Sequence, residues 1–377
     1  MMITLLIGAA CLFSPPPGPS FEQHTIASHE EGHQHRWPCI AALDDGRLLL
    51  TWSRAATEPS DDAVVYAISE DHGRTWSEPV TLIAREDFIE ADPNIVVSGS
   101  RIFILCTSVN FETGIRTSTT WCVRSEDTAR TWSEPYTIPM NHPYTCGKTH
   151  RGLRLADGTL VMGYAWDVVC ETGAAHDAES QMDLRAGVMR STDNGETWVN
   201  GGDTHAEYTK ATEGVSGTDE PALVTLEDGT LYMLMRTGAD HLYEARSADG
   251  GLTWTGIGPS PLFGSNAPAA LCSFTVGNRC GTLVVWDNAL QRFPLCAAAS
   301  FDGTRTWSTP KDIAFPYTGG QASYPSCVQA ADGTLVAVWQ QDVEGGRDIR
   351  CARFNAEWLL RKEPEPDAVV VLFGDST

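Results

Sequence analysis

An octapeptide of the form S-x-D-x-x-x-T-W occurs five times in this chain, and it constrains the fold more than any other feature of the sequence. The copies read SEDHGRTW, SEDTARTW, STDNGETW, SADGGLTW and SFDGTRTW, beginning at Ser69, Ser125, Ser191, Ser247 and Ser300. In such a segment Ser and Asp side chains bond nearby backbone N–H groups, glycine adopts positive φ, and tryptophan covers the apolar underside. The octapeptide therefore predicts a hairpin turn, and its residues are interpreted as structural rather than catalytic.

A second repeat is offset from the first and consists of an apolar strand, a D-G or similar turn, and another apolar strand. Its six copies begin at Pro38, Pro93, Gly152, Pro221, Pro268 and Pro325. Together the two repeats give four antiparallel strands in roughly 50 to 60 residues, which is the size of a propeller blade. The sequence thus predicts an all-β fold, a six-bladed β-propeller with four-stranded antiparallel blades. The sixth unit lacks the octapeptide, so its outer part must close the ring in another way.

The domain organisation follows from this repeat. Residues 21–377 are predicted to form a single propeller domain, and residues 1–20 a signal-like or disordered N-terminus. The apolar run Ile3 to Phe13 is similar to the core of a signal peptide, but no basic residue precedes it, so export to the periplasm or medium and a cytoplasmic location both stay open. No other stretch is apolar and long enough to span a bilayer, so no membrane insertion is predicted.

Charge and cysteine usage narrow the classes of partner. A formal net charge of −23 opposes encounter with nucleic acid or an anionic membrane. An anionic substrate would need a local cluster of arginines in such a protein. The 11 cysteines contain no C-x-x-C pair, which argues against a zinc site, and most of them lie in apolar strand-like runs as small buried side chains. No cofactor and no obligate protein partner are predicted.

The repeat also predicts which residues meet at one mouth of the central channel. The first strand of each blade lines the channel, so the residues that enter these strands surround one opening. They are Arg36 or Trp37, Asp92, His150 or Arg151, Glu220, Asn266 or Ala267, and Tyr324. A second ring follows the second strand of each blade and contains Arg54 with Asp61 and Asp62, then Asp167, Arg236 and Arg292.

Three of these arginines are candidates for gripping a carboxylate. A guanidinium group makes paired, charge-assisted hydrogen bonds that a lysine cannot reproduce. Arg36, Arg236 and Arg292 are predicted to lie on the same side of three blades. Arg54, Asp92 and His150 are predicted to contact other parts of the same ligand.

From about His35 to Trp358 the chain resembles the sialidases, in which the octapeptide is known as the Asp box. Arg36-Trp37-Pro38 is similar to the Arg-x-Pro entry of the family's first blade, although an aliphatic residue is usual where Trp37 stands. Glu220-Pro221 followed by Arg236 resembles the Glu-Pro entry of a middle blade and its arginine. Arg292 and Tyr324 resemble the third arginine and the tyrosine of the final blade. The family's acid/base aspartate corresponds to Asp61 or Asp62, which spacing does not distinguish.

This resemblance implies an exo-acting hydrolase that removes a terminal sialic acid or a related acidic sugar from glycans with retention of configuration. A sialic acid carries its carboxylate on the anomeric carbon, so a neutral phenol approaches with less repulsion than a carboxylate does. On this hypothesis Glu220 activates Tyr324, Tyr324 forms a covalent glycosyl intermediate, and Asp62 or Asp61 acts as acid and then base. No metal or organic cofactor is required.

Three alternatives stay open at this point. The propeller could hydrolyse another sugar, such as a related nonulosonic acid, a uronic acid or arabinose. It could be a non-catalytic glycan-binding propeller, for which a degraded Tyr and Glu pair is expected, whereas both residues are present. A protein-interaction propeller of the WD type is disfavoured because its signatures are absent. The histidine-rich segment His29 to His35 is interpreted as a solvated loop rather than a metal site.

Overall fold

A computed structural model describes residues 18–56, 62–85, 88–110, 117–148, 150–171, 182–204, 215–264, 266–316 and 320–362. The chain forms six antiparallel sheets arranged as the blades of a propeller, as the repeat predicted. The signal-like segment predicted for residues 1–20 lies outside the described residues except for Gly18, Pro19 and Ser20.

Each of the first two blades has four strands that follow one another from the channel outward. Blade 1 comes after β1 (Phe21–Ala27) and contains β2 (His33–Ala42), β3 (Leu48–Ala56), β4 (Ala63–Ser69) and β5 (Val80–Ala84). Blade 2 contains β6 (Ile89–Ser98), β7 (Arg101–Asn110), β8 (Thr117–Ser125) and β9 (Tyr136–Ile138).

Blade 3 is irregular because its inner strand is interrupted. The inner position is shared by the two-residue strands β10 (Thr145–Cys146) and β11 (Leu153–Arg154), which both pair with the second strand. The blade continues with β12 (Leu160–Asp167), helix α1 (Val168–Glu171), β13 (Met182–Ser191), β14 (Val199–Thr204) and β15 (Val215–Gly217). The last of these pairs in parallel with β13. Among the described residues between these two short strands are Gly147, Lys148, His150, Arg151 and Gly152.

Blades 4 and 5 return to the regular order of four antiparallel strands. Blade 4 contains β16 (Asp219–Thr225), β17 (Leu231–Arg236), β18 (His241–Ser247) and β19 (Thr255–Phe263). Blade 5 contains β20 (Ala270–Val276), β21 (Arg279–Asp287), β22 (Leu295–Ser300) and β23 (Lys311–Ala314).

The ring closes by joining the two ends of the chain in blade 6. Its first three strands, from the channel outward, are β24 (Ala322–Gln329), β25 (Leu335–Val343) and β26 (Gly346–Phe354). The fourth, outer strand is β1, which pairs with β26. Helix α2 (Ala356–Leu360) follows, and its Trp358 stacks on Phe21 with ring centroids 4.4 Å apart. The blade without an Asp box is thus closed by the N-terminal strand.

The Asp boxes make the turns that the sequence predicted. In the third box Asp193 accepts hydrogen bonds from the backbone N–H and hydroxyl of Thr197, at 2.9 and 2.6 Å, and from the hydroxyl of Ser191 at 2.8 Å. The tryptophan of each box packs against an apolar core between two adjacent blades, and Trp358 of α2 does the same between blades 5 and 6. Each turn therefore helps to fix one blade against its neighbour. No helix in the described part of the chain is long and apolar enough to cross a membrane.

Candidate active site

Five residues that enter inner strands have a left-handed backbone conformation. Trp37, Asp92, Glu220, Asn266 and Tyr324 have φ between 44 and 54° although none is a glycine. Such angles are uncommon for L-residues, and they tend to cluster at functional sites, where the surrounding structure holds the strain. The equivalent place in blade 3 has Gly147, with φ 68°.

The strain coincides with a bulge in the inner strand. The pairing register shifts between Ala91 and Asn94 in blade 2 and between Asp219 and Ala222 in blade 4, and equivalent shifts occur in blades 1 and 6. In four blades a proline directly follows the left-handed residue and ends regular pairing there. A bulge re-aims the side chain it carries, and here the bulges surround one end of the channel.

A cavity of about 240 Å³ occupies this mouth. Its polar and charged lining includes Arg36, Asp92, Asp219, Glu220, Arg236 and Tyr324. On one side it is bounded by apolar and small side chains, among them Ile89, Ala91, Val109 and Tyr144. The cavity is concave, with convergent charged groups on one wall and apolar groups on another, as small-molecule sites usually are.

A hydrogen-bonded triad of Tyr324, Glu220 and Arg236 joins two blades across the cavity. The Tyr324 hydroxyl donates to Oε1 of Glu220 at 2.8 Å, and Nη1 of Arg236 donates to Oε2 of the same carboxylate at 2.9 Å. Arg236 also lies 3.4 Å from the Tyr324 oxygen, and its Nε donates to Asn266 at 3.1 Å. These side chains are at most 10% exposed. The phenol therefore has a base in contact and a cation beside it.

Burial and charge set the protonation states of this triad. Burial and the negative charge of Glu220 raise the pKa of the Tyr324 phenol well above its ordinary value, so the phenol is neutral. Burial opposes ionisation of Glu220, but the guanidinium of Arg236 outweighs it and lowers the pKa of this carboxyl. Glu220 is therefore ionised near neutral pH and is able to accept the phenolic proton.

Two further charged residues are buried at this end of the channel, Asp219 next to Glu220 and Lys148 near Asp92, and neither was predicted from the sequence. Oδ1 of Asp219 accepts the backbone N–H of Glu220 at 2.7 Å, and burial together with the charge of Glu220 raises its pKa to about 7. Nζ of Lys148 donates to the hydroxyls of Thr107 and Thr145 at 2.7 and 3.0 Å. Burial lowers the pKa of Lys148 to about 8, although the charge of Asp92 opposes this.

Asp92 is one of the predicted residues that lines the cavity. Oδ2 of this carboxyl accepts the backbone N–H of Gly147 at 3.0 Å. Burial and the charge of Glu220 raise its pKa to about 6, although Lys148 opposes the shift. The Asp92 carboxyl therefore changes its charge near pH 6.

The predicted arginines have three different positions. Arg36 lines the cavity, with its guanidinium carbon 5.8 Å from the ring centroid of Trp37. Arg292 is next to the cavity: its guanidinium carbon lies 5.4 Å from the ring centroid of Tyr324, and it donates to the backbone oxygen of Asn266 at 3.1 Å. Arg54, in contrast, points toward the outer strand of blade 1 and donates to Thr81 at 3.2 Å.

The remaining predicted residues are not among the described side chains that line the cavity. Asp62 is buried directly before β4, and Asp61 lies outside the described residues. His150 is buried in the interrupted inner strand of blade 3, and neither of its ring nitrogens has a hydrogen-bond partner. Burial lowers the pKa of His150 to about 4, although Glu220 opposes the shift, so this ring is neutral at pH 7.

The histidine-rich segment has structural partners. Nδ1 of His29 lies 2.8 Å from a carboxylate oxygen of Asp348, and Nδ1 of His35 accepts the indole N–H of Trp52 at 3.0 Å. Within the described ranges no group of three His, Cys, Asp or Glu side chains is arranged to hold a metal ion. The first contact joins the start of blade 1 to blade 6 and the second lies within blade 1, so the prediction of a solvated loop is wrong for this segment.

One curated relative covers nearly all of this chain. A sialidase from Micromonospora viridifaciens is 25% identical over 392 aligned residues, which cover 91% of this chain and 55% of the relative. The chain therefore spans a little over half the length of this curated relative.

Two solved structures share the fold. The Trypanosoma rangeli sialidase superposes with a TM-score of 0.70 at 16% identity, over 91% of this chain and 60% of its own. A protein of unknown function from Dyadobacter fermentans superposes with a TM-score of 0.71 at 18% identity, over 90% of this chain and 99% of its own. A family model described as a BNR repeat-like domain matches residues 46–337. The chain belongs to this BNR repeat-like family and, with it, to the sialidase superfamily of six-bladed β-propellers.

Proposed function

We propose that this protein is an exo-acting glycoside hydrolase that releases a terminal sialic acid or a related acidic sugar from glycans, with retention of configuration and Tyr324 as the nucleophile. The observation that carries the proposal is the hydrogen bond of 2.8 Å from the Tyr324 hydroxyl to Glu220, whose other oxygen is bound by Arg236. A phenol is a weak nucleophile unless a base removes its proton during attack. Glu220, kept ionised by Arg236, is such a base.

In the first half-reaction the Tyr324 oxygen bonds to the anomeric carbon while its proton passes to Glu220. The bond from that carbon to the leaving oxygen breaks, and a proton from Asp62 or Asp61 passes to this oxygen. In the second half-reaction water attacks the anomeric carbon, its proton returns to the same aspartate, and Tyr324 leaves and recovers its proton from Glu220. Two displacements at one carbon retain its configuration.

The charges around the cavity suit a substrate with a carboxylate. Arg36 and Arg236 line the cavity and Arg292 lies against the ring of Tyr324, so three guanidinium groups stand near the nucleophile of a protein whose net charge is −23. Guanidinium groups bind carboxylates through paired N–H donors. Asp92 lines the same cavity and would accept hydrogen bonds from sugar hydroxyls. The 25% identity to a sialidase supports the same class of substrate.

The test is release of fluorophore from an aryl sialoside by the wild-type protein and by Tyr324→Phe, measured from pH 4 to 8. The matched control is Tyr232→Phe, because the Tyr232 hydroxyl also donates to a glutamate, Glu244 at 2.8 Å, but within blade 4. We expect kcat/KM to fall by at least about 10²-fold in Tyr324→Phe and to stay within about twofold in the control.

Two results would contradict the proposal. A wild-type protein that is silent on sialosides at every pH would reject a sialic acid substrate. A Tyr324→Phe variant that retains full activity would reject Tyr324 as the nucleophile. Rapid quenching of a slow fluorinated sialoside followed by peptide mass spectrometry adds a direct readout, since the sugar should be attached to the peptide that contains Tyr324.

A further inference from the structure

The channel has a second cavity at the end opposite to the candidate active site. It encloses about 440 Å³ and lies where the inner strands reach their D-G turns. Its wall includes Ala42, Val97, Ser273 and Val328 from four different blades, together with Arg151 and Arg154 of blade 3. This volume is within the range of ordinary small-molecule sites.

The charge of this second cavity is opposite to that of the protein as a whole. Among the described residues its lining contains two arginines and no aspartate or glutamate, in a chain of net charge −23. The first cavity differs, because its arginines stand among Asp92, Asp219 and Glu220. The second cavity is therefore a cationic pocket whose charge is not neutralised by its own wall.

Arg151 is the main source of this uncompensated charge. Its Nε is buried without a hydrogen-bond partner, and none of the ion pairs formed among the described residues includes it. A buried donor that lacks a partner costs free energy and calls for an explanation. A ligand that accepts hydrogen bonds would remove this cost.

The charge of Arg151, which lines the second cavity from blade 3, acts on groups of other blades. Burial raises the pKa of the Cys39 thiol to about 12, and the positive charge of Arg151 opposes this rise. The same charge acts on the thiols of Cys272 and Cys327. These three cysteines belong to blades 1, 5 and 6, so the charge of Arg151 acts on the inner strands of other blades.

The local sequence explains how Arg151 arrives there. The next residue, Gly152, donates its backbone N–H to the oxygen of Ile95 at 2.8 Å. A Cβ on this glycine would lie 2.6 Å from Cγ2 of Val96 and 2.9 Å from the oxygen of Val161. Only a glycine lets the chain approach blade 2 so closely here, and the preceding residue, Arg151, lines the cavity.

We infer that the second cavity binds a small molecule through an oxyanion group, a carboxylate or a phosphate, held by Arg151 with Arg154 at the rim. A guanidinium group binds either oxyanion through two parallel N–H donors. The exposed hydroxyl of Ser273 provides a further donor on the facing wall. The inference depends on groups that the proposed hydrolysis does not use.

The test is calorimetric titration of the full chain with inorganic phosphate and, separately, with sodium acetate, at constant ionic strength and pH 7.5. A response to one probe alone identifies the ligand as phosphate- or carboxylate-bearing, and a response to both identifies a general oxyanion site. We expect saturable binding by the wild-type protein and at least about tenfold weaker binding by Arg151→Gln. Absence of saturable binding of either probe overturns the inference.

Two control variants locate the binding. Arg74→Gln removes an exposed arginine of an Asp box that lies outside both cavities, and it should bind within about twofold of wild type. Arg36→Gln removes a proposed carboxylate-binding cation of the first cavity, so it should weaken only acetate bound there and should retain phosphate binding. A loss of phosphate binding in this variant would place the phosphate in the first cavity and overturn the inference. If Arg151→Gln does not fold, Arg154→Gln takes its place, because Arg154 is exposed. We expect anion binding about threefold weaker in that variant, and unchanged binding would overturn the inference.

Discussion

Two triads of tyrosine, glutamate and arginine occur in this protein with almost the same hydrogen bonds. In the first, Tyr324 donates to Glu220 at 2.8 Å and Arg236 donates to that carboxylate at 2.9 Å. In the second, Tyr232 donates to Glu244 at 2.8 Å and Arg246 donates to that carboxylate at 3.0 Å. A list of hydrogen bonds alone would not tell which triad performs chemistry.

The two triads differ in how the backbone brings them together. Tyr232, Glu244 and Arg246 lie on the adjacent strands β17 and β18, where regular pairing places Tyr232 opposite Arg246. Tyr324 and Glu220 are 104 residues apart, on different blades, and both have a left-handed backbone. The second triad follows from ordinary strand geometry, whereas the first requires strain at two residues and closure of the ring.

The surroundings differ as well. The side chains of Glu244 and Arg246 are 19% and 31% exposed, whereas those of Glu220 and Arg236 are 7% and 10% exposed. Glu220 also shares its cavity with Asp219 and Asp92. On the proposed function, the comparison teaches that backbone strain, burial and crowded charges at a cavity distinguish the reactive triad, whereas the same side chains on a regular sheet bind neighbouring strands together.

The largest effect expected from this comparison is on catalysis. Glu220→Gln removes the base that would accept the Tyr324 proton, and we expect kcat/KM on an aryl sialoside to fall by about 10² to 10⁴-fold. Glu244→Gln makes the same chemical change in the second triad and should leave kcat/KM within about twofold. Equal losses in both variants would show that the glutamate change acts through stability, and the distinction between the triads would fail.

A second effect concerns stability and follows from burial. Arg236→Ala leaves the buried Glu220 carboxylate without its cation, and the expected loss in free energy of unfolding is about 3 to 5 kcal/mol. Arg246→Ala leaves a carboxylate that water reaches, and about 1 kcal/mol is expected. Urea unfolding of both variants measures the difference.

The double variant Arg236→Ala with Glu220→Gln isolates the cause of that loss. It should recover part of the lost stability, because the unpaired charge is gone. A double variant no more stable than Arg236→Ala alone would attribute the loss to packing rather than charge.

The propeller could be predicted from the sequence because both repeats mark turns. The octapeptide marks one turn in each of five blades, and the D-G or similar turn marks the hairpin between the two apolar strands of each unit. Closure by β1 could not be predicted, because its sequence, FEQHTIA, carries no turn signature and its partner strand is at the other end of the chain. Long-range pairing of this kind depends on where the completed ring brings the termini.

The candidate site was predictable where the repeat marks a residue that enters an inner strand, and it was missed at residues that the repeat does not mark. Tyr324, Glu220 and Asp92 enter inner strands, so the repeat located them. Asp219 was missed because neighbours on a regular strand face opposite sides, whereas the bulge at Glu220 turns both carboxyls toward one cavity. Lys148 was missed because it lies in the interruption of blade 3, which follows no repeat.

The crowding of carboxyls around the first triad leads to a prediction about pH. The pKa of Asp219 rises from its ordinary value of 3.8 to about 7 on folding, so the folded state holds a proton that the unfolded state has already released. Its stabilising contribution is complete below about pH 4 and is lost as the pH rises through 7. Asp219→Asn has no such proton, and its oxygen still accepts the N–H of Glu220.

We therefore expect Asp219→Asn to match the wild type near pH 4 and to be more stable at pH 8 by about 2 to 3 kcal/mol in urea unfolding. Asp193 of the third Asp box gives the opposite control, because hydrogen bonds from Thr197 lower its pKa to about 2. The stabilising contribution of the Asp193 carboxylate is present above about pH 4 and is lost below that. Asp193→Asn should therefore not alter how the free energy of unfolding changes between pH 5 and 8. If the free energy of unfolding of Asp219→Asn depends on pH as that of the wild type does, Asp219 is ionised beside Glu220 in the folded protein. Arg236 would then stabilise two carboxylates at this site, where Arg246 stabilises one.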